Sequence, residues 1–518
     1  MSLDEGTDPL RGGSIEVDGI PVVIPKNTLI NLPAMVPAWS ELFDGGAPHL
    51  PGSQQYSATI AGNRVNNRYI AGLVDLSQNP LRALEGFITE ITTDGHFKVA
   101  GSFNPAGVLE CVINDPLGVY GTEYTANPLW SVDPENPSIR AFTGFPMCIP
   151  RSADDELCPS KNRPLSGGGR PLTQFTFSDP ATIDGNDPDA NVMAPLMAGD
   201  FVTFNGQLID GLFEVNDLVA NIGFYTAPGT LPAYITVEEA LWGLQFPVTA
   251  GELAETRAVA FTTDPTTPMQ WYAEEVDPCT GNITERNLQL TVPAQTAPIG
   301  RVKFRFGATN PGKSIRNFGF KMINGNVTTK NNLTAGVFIQ PVTGFIFPEV
   351  TNFGANLPPL AFETMGFLAQ GSGPYVPGNP LAPPPADGET PIIVGQLDPW
   401  PGKPPPATTS CTVPTPTSTA EPTATPTQTP PDIVLVDLAT MTKSRGGNFI
   451  VEVHATSDNP DAKLFISVDA IVRPLVNGPM QKQPDGGFHT KVLMKGTPTG
   501  VTVTSDLGGI AITVPVLV

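Results

Sequence analysis

The sequence predicts an all-β protein: two barrel- or sandwich-like modules in one N-terminal body, a Pro/Thr-rich linker, and a small C-terminal β-sandwich. Three observations carry this expectation. The 518 residues include 58 Pro and 52 Gly but only 15 % charged residues, so long runs free of helix breakers are scarce. Asx-Gly turns recur between short β-branched and aromatic runs, which is the strongest local hairpin signal. The stretch from about Pro401 to Pro431 has almost nothing apolar to bury, and its prolines cannot join helices or ladders, so an extended spacer is expected there.

Taken in order, the chain opens with Ser14-Ile-Glu-Val and Gly19-Ile-Pro-Val-Val-Ile24 around Asp18-Gly19. Comparable hairpins are expected at Asp94-Gly95, at Asn205-Gly206 and at the end of Phe318–Ile323, where Asn324-Gly325 follows. The strands cluster at roughly 12–125 and 196–350, and each cluster has the makings of a small closed barrel, because closure removes exposed edges. The expected modules are therefore 1–125 and 196–370, joined by a loop-rich connection over 126–195. A Gly/Pro and then Pro/Thr-rich linker follows over 371–432, and a sandwich over 433–518. Thr236-Val-Glu-Glu239 reads equally as a capping box or as a strand, and Pro391–Leu397 as a strand pinned back onto the main body.

The tail alternates: Phe449, Val451 and Val453 point one way, and Ile450, Glu452 and His454 the other. With Val501-Thr-Val-Thr and turns at Asp485-Gly-Gly487 and Gly508-Gly509, it resembles the immunoglobulin-like modules of secreted and cell-surface proteins. In the main body, Gly86-Phe-Ile-Thr-Glu-Ile…Asp94-Gly-His-Phe-Lys-Val and Ala198-Gly-Asp-Phe-Val-Thr-Phe-Asn-Gly-Gln-Leu are similar to the small β-barrel modules of secreted bacterial proteins. These resemblances imply fold and setting, not chemistry.

A formal net charge of −22 argues against nucleic acid, which repels such a chain at long range. Of five cysteines, Cys148 and Cys158 lie ten apart and are the candidate disulfide; Cys111, Cys279 and Cys411 leave one thiol free or paired outside the chain. The start Met1-Ser-Leu-Asp-Glu-Gly has no signal-peptide character, and no run approaches a membrane helix. An extracellular or cell-surface location is expected from the Pro/Thr stretch and from the sequons at Asn282, Asn326 and Asn332.

Candidate chemistry is sparse. The run Asp184, Asn186, Asp187, Asp189, Asn191 offers oxygen ligands to a hard cation, making calcium the candidate cofactor; a solvated Asx turn is the simpler reading. Arg301, Lys303 and Arg305 alternate with Val302, Phe304 and Phe306, and Lys313, Arg316, Lys321 and Lys330 follow, so seven of 28 basic residues fall close together. They are the candidate ligand-binding face for an anionic glycan or surface polymer, against the plainer reading of a strand with one wet side. The histidines His49, His96, His454 and His489 show no helical metal spacing and read as surface residues. Without a catalytic motif, the expected function is a secreted or surface-displayed binding or structural protein engaging a polysaccharide or surface polymer. The alternatives are an extracellular carbohydrate-active enzyme with an accessory tail, and a self-assembling surface-layer or fibre subunit.

Overall fold

The computed structural model describes residues 1–52, 56–78, 83–101, 107–243, 256–279, 282–305, 316–347, 359–375, 392–408, 434–443, 448–459, 462–470, 475–483, 487–495, 498–505, 510–513 and 516–517. Among them, helix is limited to short 3-10 turns and the single turn Gly366–Ala369, and the rest of the regular structure is strand. The chain divides into two compact units, Met1–Val413 and Pro414–Val518. No helix among the described residues is long and apolar enough to cross a membrane. Residues 409–433, which hold most of the expected Pro/Thr spacer, and the turns at 485–486 and 508–509 fall outside the described residues.

The first sheet contains β1 (Ser2–Leu3), β2 (Gly13–Val17), β3 (Ile20–Ile24), β4 (Tyr56–Val65) and β5 (Arg68–Gln78), in the order β1-β2-β3-β5-β4. Asp18 and Gly19 form the β2–β3 turn with φ of 49° and 78°, the left-handed pair that a two-residue hairpin of this twist requires. One core of this sheet is built from Ile15, Val22, Ile24, Trp39, Val74 and Trp130. A second is built from Phe362, Met365, Leu397 and Trp400, against Ala61 and Leu73. Asn63 fastens the returning chain, donating to the carbonyls of Leu360 (2.8 Å) and Pro401 (2.7 Å). A Cβ on Gly72 would lie 2.4 Å from the Phe362 ring, so only glycine admits this contact. Ile392–Val394 pairs with Gly373–Tyr375, and Lys26 bridges to Asp398. Residues 392–408 therefore belong to the folded body, although their Gly/Pro content reads as linker.

The closed barrel is assembled from β6 (Leu84–Ile91), β7 (His96–Ala100), β8 (Val108–Ile113), β9 (Phe201–Ile209) and β10 (Leu212–Ala220). The order is β8-β7-β6-β9-β10, and a parallel β8–β10 pairing closes it. Phe97, Val99, Cys111, Val202, Phe204, Phe213 and Val215 fill its interior, each at most 1 % exposed. The expectation of one barrel per sequence cluster is thus corrected: three strands come from the first cluster and two from the second. Closure depends on long-range pairings, which local patterning does not encode. A second correction concerns Asn205-Gly206, which lies inside β9 at a bulge, while the turn falls at Asp210-Gly211 with φ of 48° and 91°. A Cβ on Gly206 would sit 2.1 Å from the Glu214 carbonyl, so this glycine serves a close strand approach rather than a turn.

The long connection between β8 and β9 packs onto the barrel. Cys148 and Cys158 are joined within this core, both buried. Cys279 is also disulfide-bonded. Cys111 is a free thiol inside the barrel, pushed up by burial.

A β-sandwich follows. Its first sheet contains β11 (Ile235–Gly243), β12 (Arg257–Thr262), β15 (Arg301–Arg305) and β18 (Gly344–Ile346), ordered β15-β12-β11-β18. Its second contains β13 (Met269–Val276), β14 (Ile283–Thr291), β16 (Asn317–Met322) and β17 (Val337–Pro341), ordered β14-β13-β16-β17. Thr236–Glu239 is therefore strand, as one of its two readings had it. Trp242, Trp271, Phe304, Phe318 and Phe320 interlock between the sheets. The tail is a second sandwich. β19 (Val434–Lys443), β20 (Asn448–Ser457), β23 (Gln481–Lys482), β24 (Phe488–Lys495) and β27 (Val516–Leu517) form the sheet β23-β24-β20-β19-β27. β21 (Leu464–Ala470), β22 (Leu475–Pro479), β25 (Pro498–Ser505) and β26 (Ile510–Thr513) form the sheet β22-β21-β25-β26. Val451, Val453, Ile466, Val468, Val501 and Val503 make its core.

Candidate functional site

A cleft of about 490 Å³ opens where the first sheet, the barrel and the first sandwich meet. The bulge in the β9–β10 hairpin creates its floor. Asn205 pairs with Asp217 but Gly206 pairs with Val215, so Asn216 is the extra residue. Val215 and Leu218 both point into the barrel core with two residues between them. Strand alternation is broken there, and Asn216 and Asp217 both project outward into the cleft.

The walls are fixed by hydrogen bonds from loop residues. Tyr120 is fully buried, and its hydroxyl donates to the Asn136 carbonyl (2.8 Å) and accepts from the Ser138 amide (2.9 Å). Asn136 in turn donates to the Ile339 carbonyl (2.7 Å) and accepts from the Ile339 amide (3.1 Å), locking the 133–140 loop to the sandwich. Arg140 donates to the Asp217 carboxylate and to the Ser138 carbonyl (3.1 Å). Asn205 donates to the other Asp217 oxygen (3.2 Å). Tyr56 donates to Gln207 (3.1 Å), and burial pushes its hydroxyl up. Trp130, 4 % exposed and in edge contact with Tyr56, supplies the aromatic part of the lining together with Phe338.

Three aspartates, Asp75, Asp133 and Asp217, face one cation, Arg140, around the cleft. Burial raises the Asp133 carboxyl, although Asn136 and the amides of Glu135 and Asn136 donate to it. Asn216 is 7 % exposed and Thr236 5 % exposed, yet their side chains make no hydrogen bond to the described residues. Their polar atoms open on the cleft, and the Trp130 Nε1 in the same lining is buried with no hydrogen-bond partner, so these groups are set to receive a ligand or water. Chemically the cleft is a collection of neutral amides, hydroxyls and paired carboxylates beside two aromatic rings, Trp130 and Phe338. No protein-family model matches the chain, and no curated protein matches it in sequence.

The residues singled out from the sequence lie elsewhere. Arg301, Lys303 and Arg305 do line one face of β15, with Val302 and Phe304 beneath. The other cations do not join them: Lys321 lies on β16 in the opposite sheet, paired with Glu285 and 4.8 Å above the Tyr272 ring. Arg301 forms a two-pronged pair with Glu238. Arg316 is half-buried, donates to Ser372 (2.9 Å), and is pushed down to about 10 by desolvation. Lys330 pairs with Asp189 at 2.8 Å. Lys313 lies outside the described residues. The continuous basic face expected from proximity in sequence is therefore split by the strand exchange between the two sheets.

The 184–191 run is a hydrogen-bonded turn. Asp184 accepts from the Asn186 amide (2.7 Å), and Asp187 from the Asp184 amide (2.9 Å). Asp189 accepts from the Asn191 amide and side chain and from Lys330. Buried Asn162 stitches the turn to the core, donating to the carbonyls of Asp189, Val192 and Met193. The carboxylates of Asp184, Asp187 and Asp189 are engaged by these donors and do not form a group whose ligand atoms all lie within 4.8 Å of one another.

This turn gives a pH prediction. Burial pushes the Asp189 carboxyl up, but Lys330 and the donors of Asn191 outweigh it and hold it below its ordinary value. A depressed carboxyl stabilises the fold above its unfolded value, and that stability is lost as the pH falls through its folded value. The protection of the Asn191 amide against exchange, relative to its intrinsic rate at each pH, should therefore fall as the pH drops below about 4. Lys330→Met should move that midpoint upward. An unmoved midpoint would show that Lys330 does not set it.

The cleft residues escaped sequence reasoning because they come from seven separate stretches, 31–33, 75–77, 130–140, 205–207, 216–217, 236–237 and 338–343. One local signal was present: Val215-Asn216-Asp217-Leu218 puts two polar residues inside an alternating run, which marks a bulge.

Proposed function

We propose that this is a binding protein whose central cleft engages a polyhydroxylated polymer, displayed outside the cell with the tail as a spacing or attachment module. The observation that carries the reading is the bulge at Asn216, which turns an unpartnered amide into a cleft of amides, carboxylates and two aromatic rings. Such groups match vicinal hydroxyls, which donate and accept without charge. The topology supports it. Counted along the chain, the barrel strands run first-second-third-fifth-fourth around the circuit, with a parallel third–fifth contact. That is the order of OB-type barrels, which host oligosaccharides and oligonucleotides, and the net charge of −22 disfavours the latter. The tail order, equivalent to D-E-B-A facing C′-C-F-G, supports an immunoglobulin-like module, and the first sandwich follows E-B-A facing C′-C-F-G.

Binding is favoured over hydrolysis because both oxygens of Asp133 and both of Asp217 already accept from neighbouring protein groups. The test is a polysaccharide array followed by calorimetry with the full chain. Saturable binding is expected, weakened roughly tenfold in Asn216→Ala, the equivalent of about 1.4 kcal/mol for lost hydrogen bonds to neutral hydroxyls. Binding that ignores Asn216→Ala, or no binding to any polymer, would refute the cleft; release of soluble sugar would move the assignment to an enzyme.

A further inference from the structure

We propose that Glu452, His454 and His489, on the outer face of the tail, form a binding site for a borderline divalent cation of the zinc type. Residues two apart on a strand share a face, and residues directly opposite on antiparallel strands have Cβ atoms about 5 Å apart. Glu452 and His454 are two apart on β20, and His454 pairs directly with His489 on β24. Val451, Val453 and Ala455 are fully buried beneath them, so the three ligand candidates point away from the sandwich core. The imidazole rings lie with centroids 4.2 Å apart.

The donor geometry is that of a metal site. His454 Nε2 lies 3.3 Å and His489 Nε2 3.1 Å from the same oxygen, Glu452 Oε1. A tetrahedral ion with bonds of about 2.05 Å separates its donors by about 3.3 Å, so small side-chain adjustments bring all three into contact with one ion. Among the described residues, these three form the one group of His, Cys, Asp or Glu whose donor atoms all lie within 4.8 Å of one another. Two imidazoles and one carboxylate suit zinc, nickel or copper rather than calcium or magnesium, which favour oxygen. Three protein ligands leave a further position for water or an outside donor, and the site is reached from solvent, with His454 45 % and His489 28 % exposed.

Lys491 opposes the ion. Its ammonium holds Glu452 Oε2 at 3.0 Å from the position directly opposite on β24. It orients the carboxylate so that Oε1 faces the histidines, but its charge repels a cation.

The experiment is calorimetric titration of Zn²⁺ into the full chain after chelation and dialysis, with Co²⁺ absorption as a readout of coordination geometry. Wild type should show a site that His489→Gln and Glu452→Gln each weaken at least tenfold without changing thermal melting, and Co²⁺ should give intense tetrahedral visible bands that those variants lose. Lys491→Gln should bind more tightly than wild type, which tests the site without removing any ligand. Equal Zn²⁺ affinity in wild type and His489→Gln, absence of the Co²⁺ bands, or a Lys491→Gln variant that binds no more tightly, would overturn the assignment.

Discussion

Asp200→Ala should destabilise the barrel by roughly 3–5 kcal/mol, the cost of leaving a buried charge without its partner. The Arg163 side chain is 1 % exposed and that of Asp200 7 %. The two meet in a fork, Nη1 to Oδ2 at 2.7 Å and Nη2 to Oδ1 at 2.8 Å. Arg163 also donates to the Pro195 carbonyl (3.0 Å), its guanidinium carbon lies 5.7 Å from the Phe224 ring centroid, and Asp200 accepts from the Met197 amide (2.8 Å). The pair thus ties the β8–β9 connection to the start of β9. Removing Asp200 strands a guanidinium that cannot give up its proton, whereas Arg163→Met with Asp200→Ala removes both charges together. The double variant should therefore lose clearly less than the sum of the two single ones. Hydrogen exchange at the β9 and β10 amides reads barrel opening apart from the rest of the chain. Additive losses there would mean that the pair is not coupled.

Trp271→Ala should destabilise the first sandwich by about 3–5 kcal/mol through lost burial and the cavity left behind. Trp271 is 1 % exposed and sits between the sheets, with ring centroids of Trp242, Phe304 and Phe320 at 5.2, 5.6 and 6.0 Å. These neighbours are themselves large and held by both sheets, so the site collapses poorly around an alanine. Trp271→Phe fills much of the space and should cost well under half as much. Protease susceptibility of the 257–291 region and exchange at the β13 amides give the measurement. A loss below about 1 kcal/mol would mean that the aromatic cluster repacks freely, contrary to the close packing of protein interiors.

The class of structure was legible because it rests on local rules. Asp18-Gly19 and Asp94-Gly95 are turns since those residues tolerate left-handed backbone, whatever surrounds them. Alternation at Val451 and Val453, and at Val302 and Phe304, correctly separated inner from outer faces. The same rule failed at Asn205-Gly206. Nothing local distinguishes a glycine needed for a turn from one needed for a close strand approach, and Asp210-Gly211 competed five residues later. The histidines were passed over for a similar reason. Helical spacing does not bring them together; Glu452 and His454 meet at strand spacing and His489 arrives from the neighbouring strand.

By itself, then, the sequence determined an all-β chain, where many of its turns fall, and which side chains face inward, since each follows from backbone preferences and alternation within a few residues. The tertiary structure decided how the barrel closes across a long insertion, why residues 392–408 belong to the folded body, and how Asn216, Arg140 and Asn136 come to surround one cleft. It also dispersed the cations of 301–330 over two sheets. These outcomes depend on which distant strands pair and in which register, and that is settled by the sum of many buried contacts rather than by any one stretch of chain.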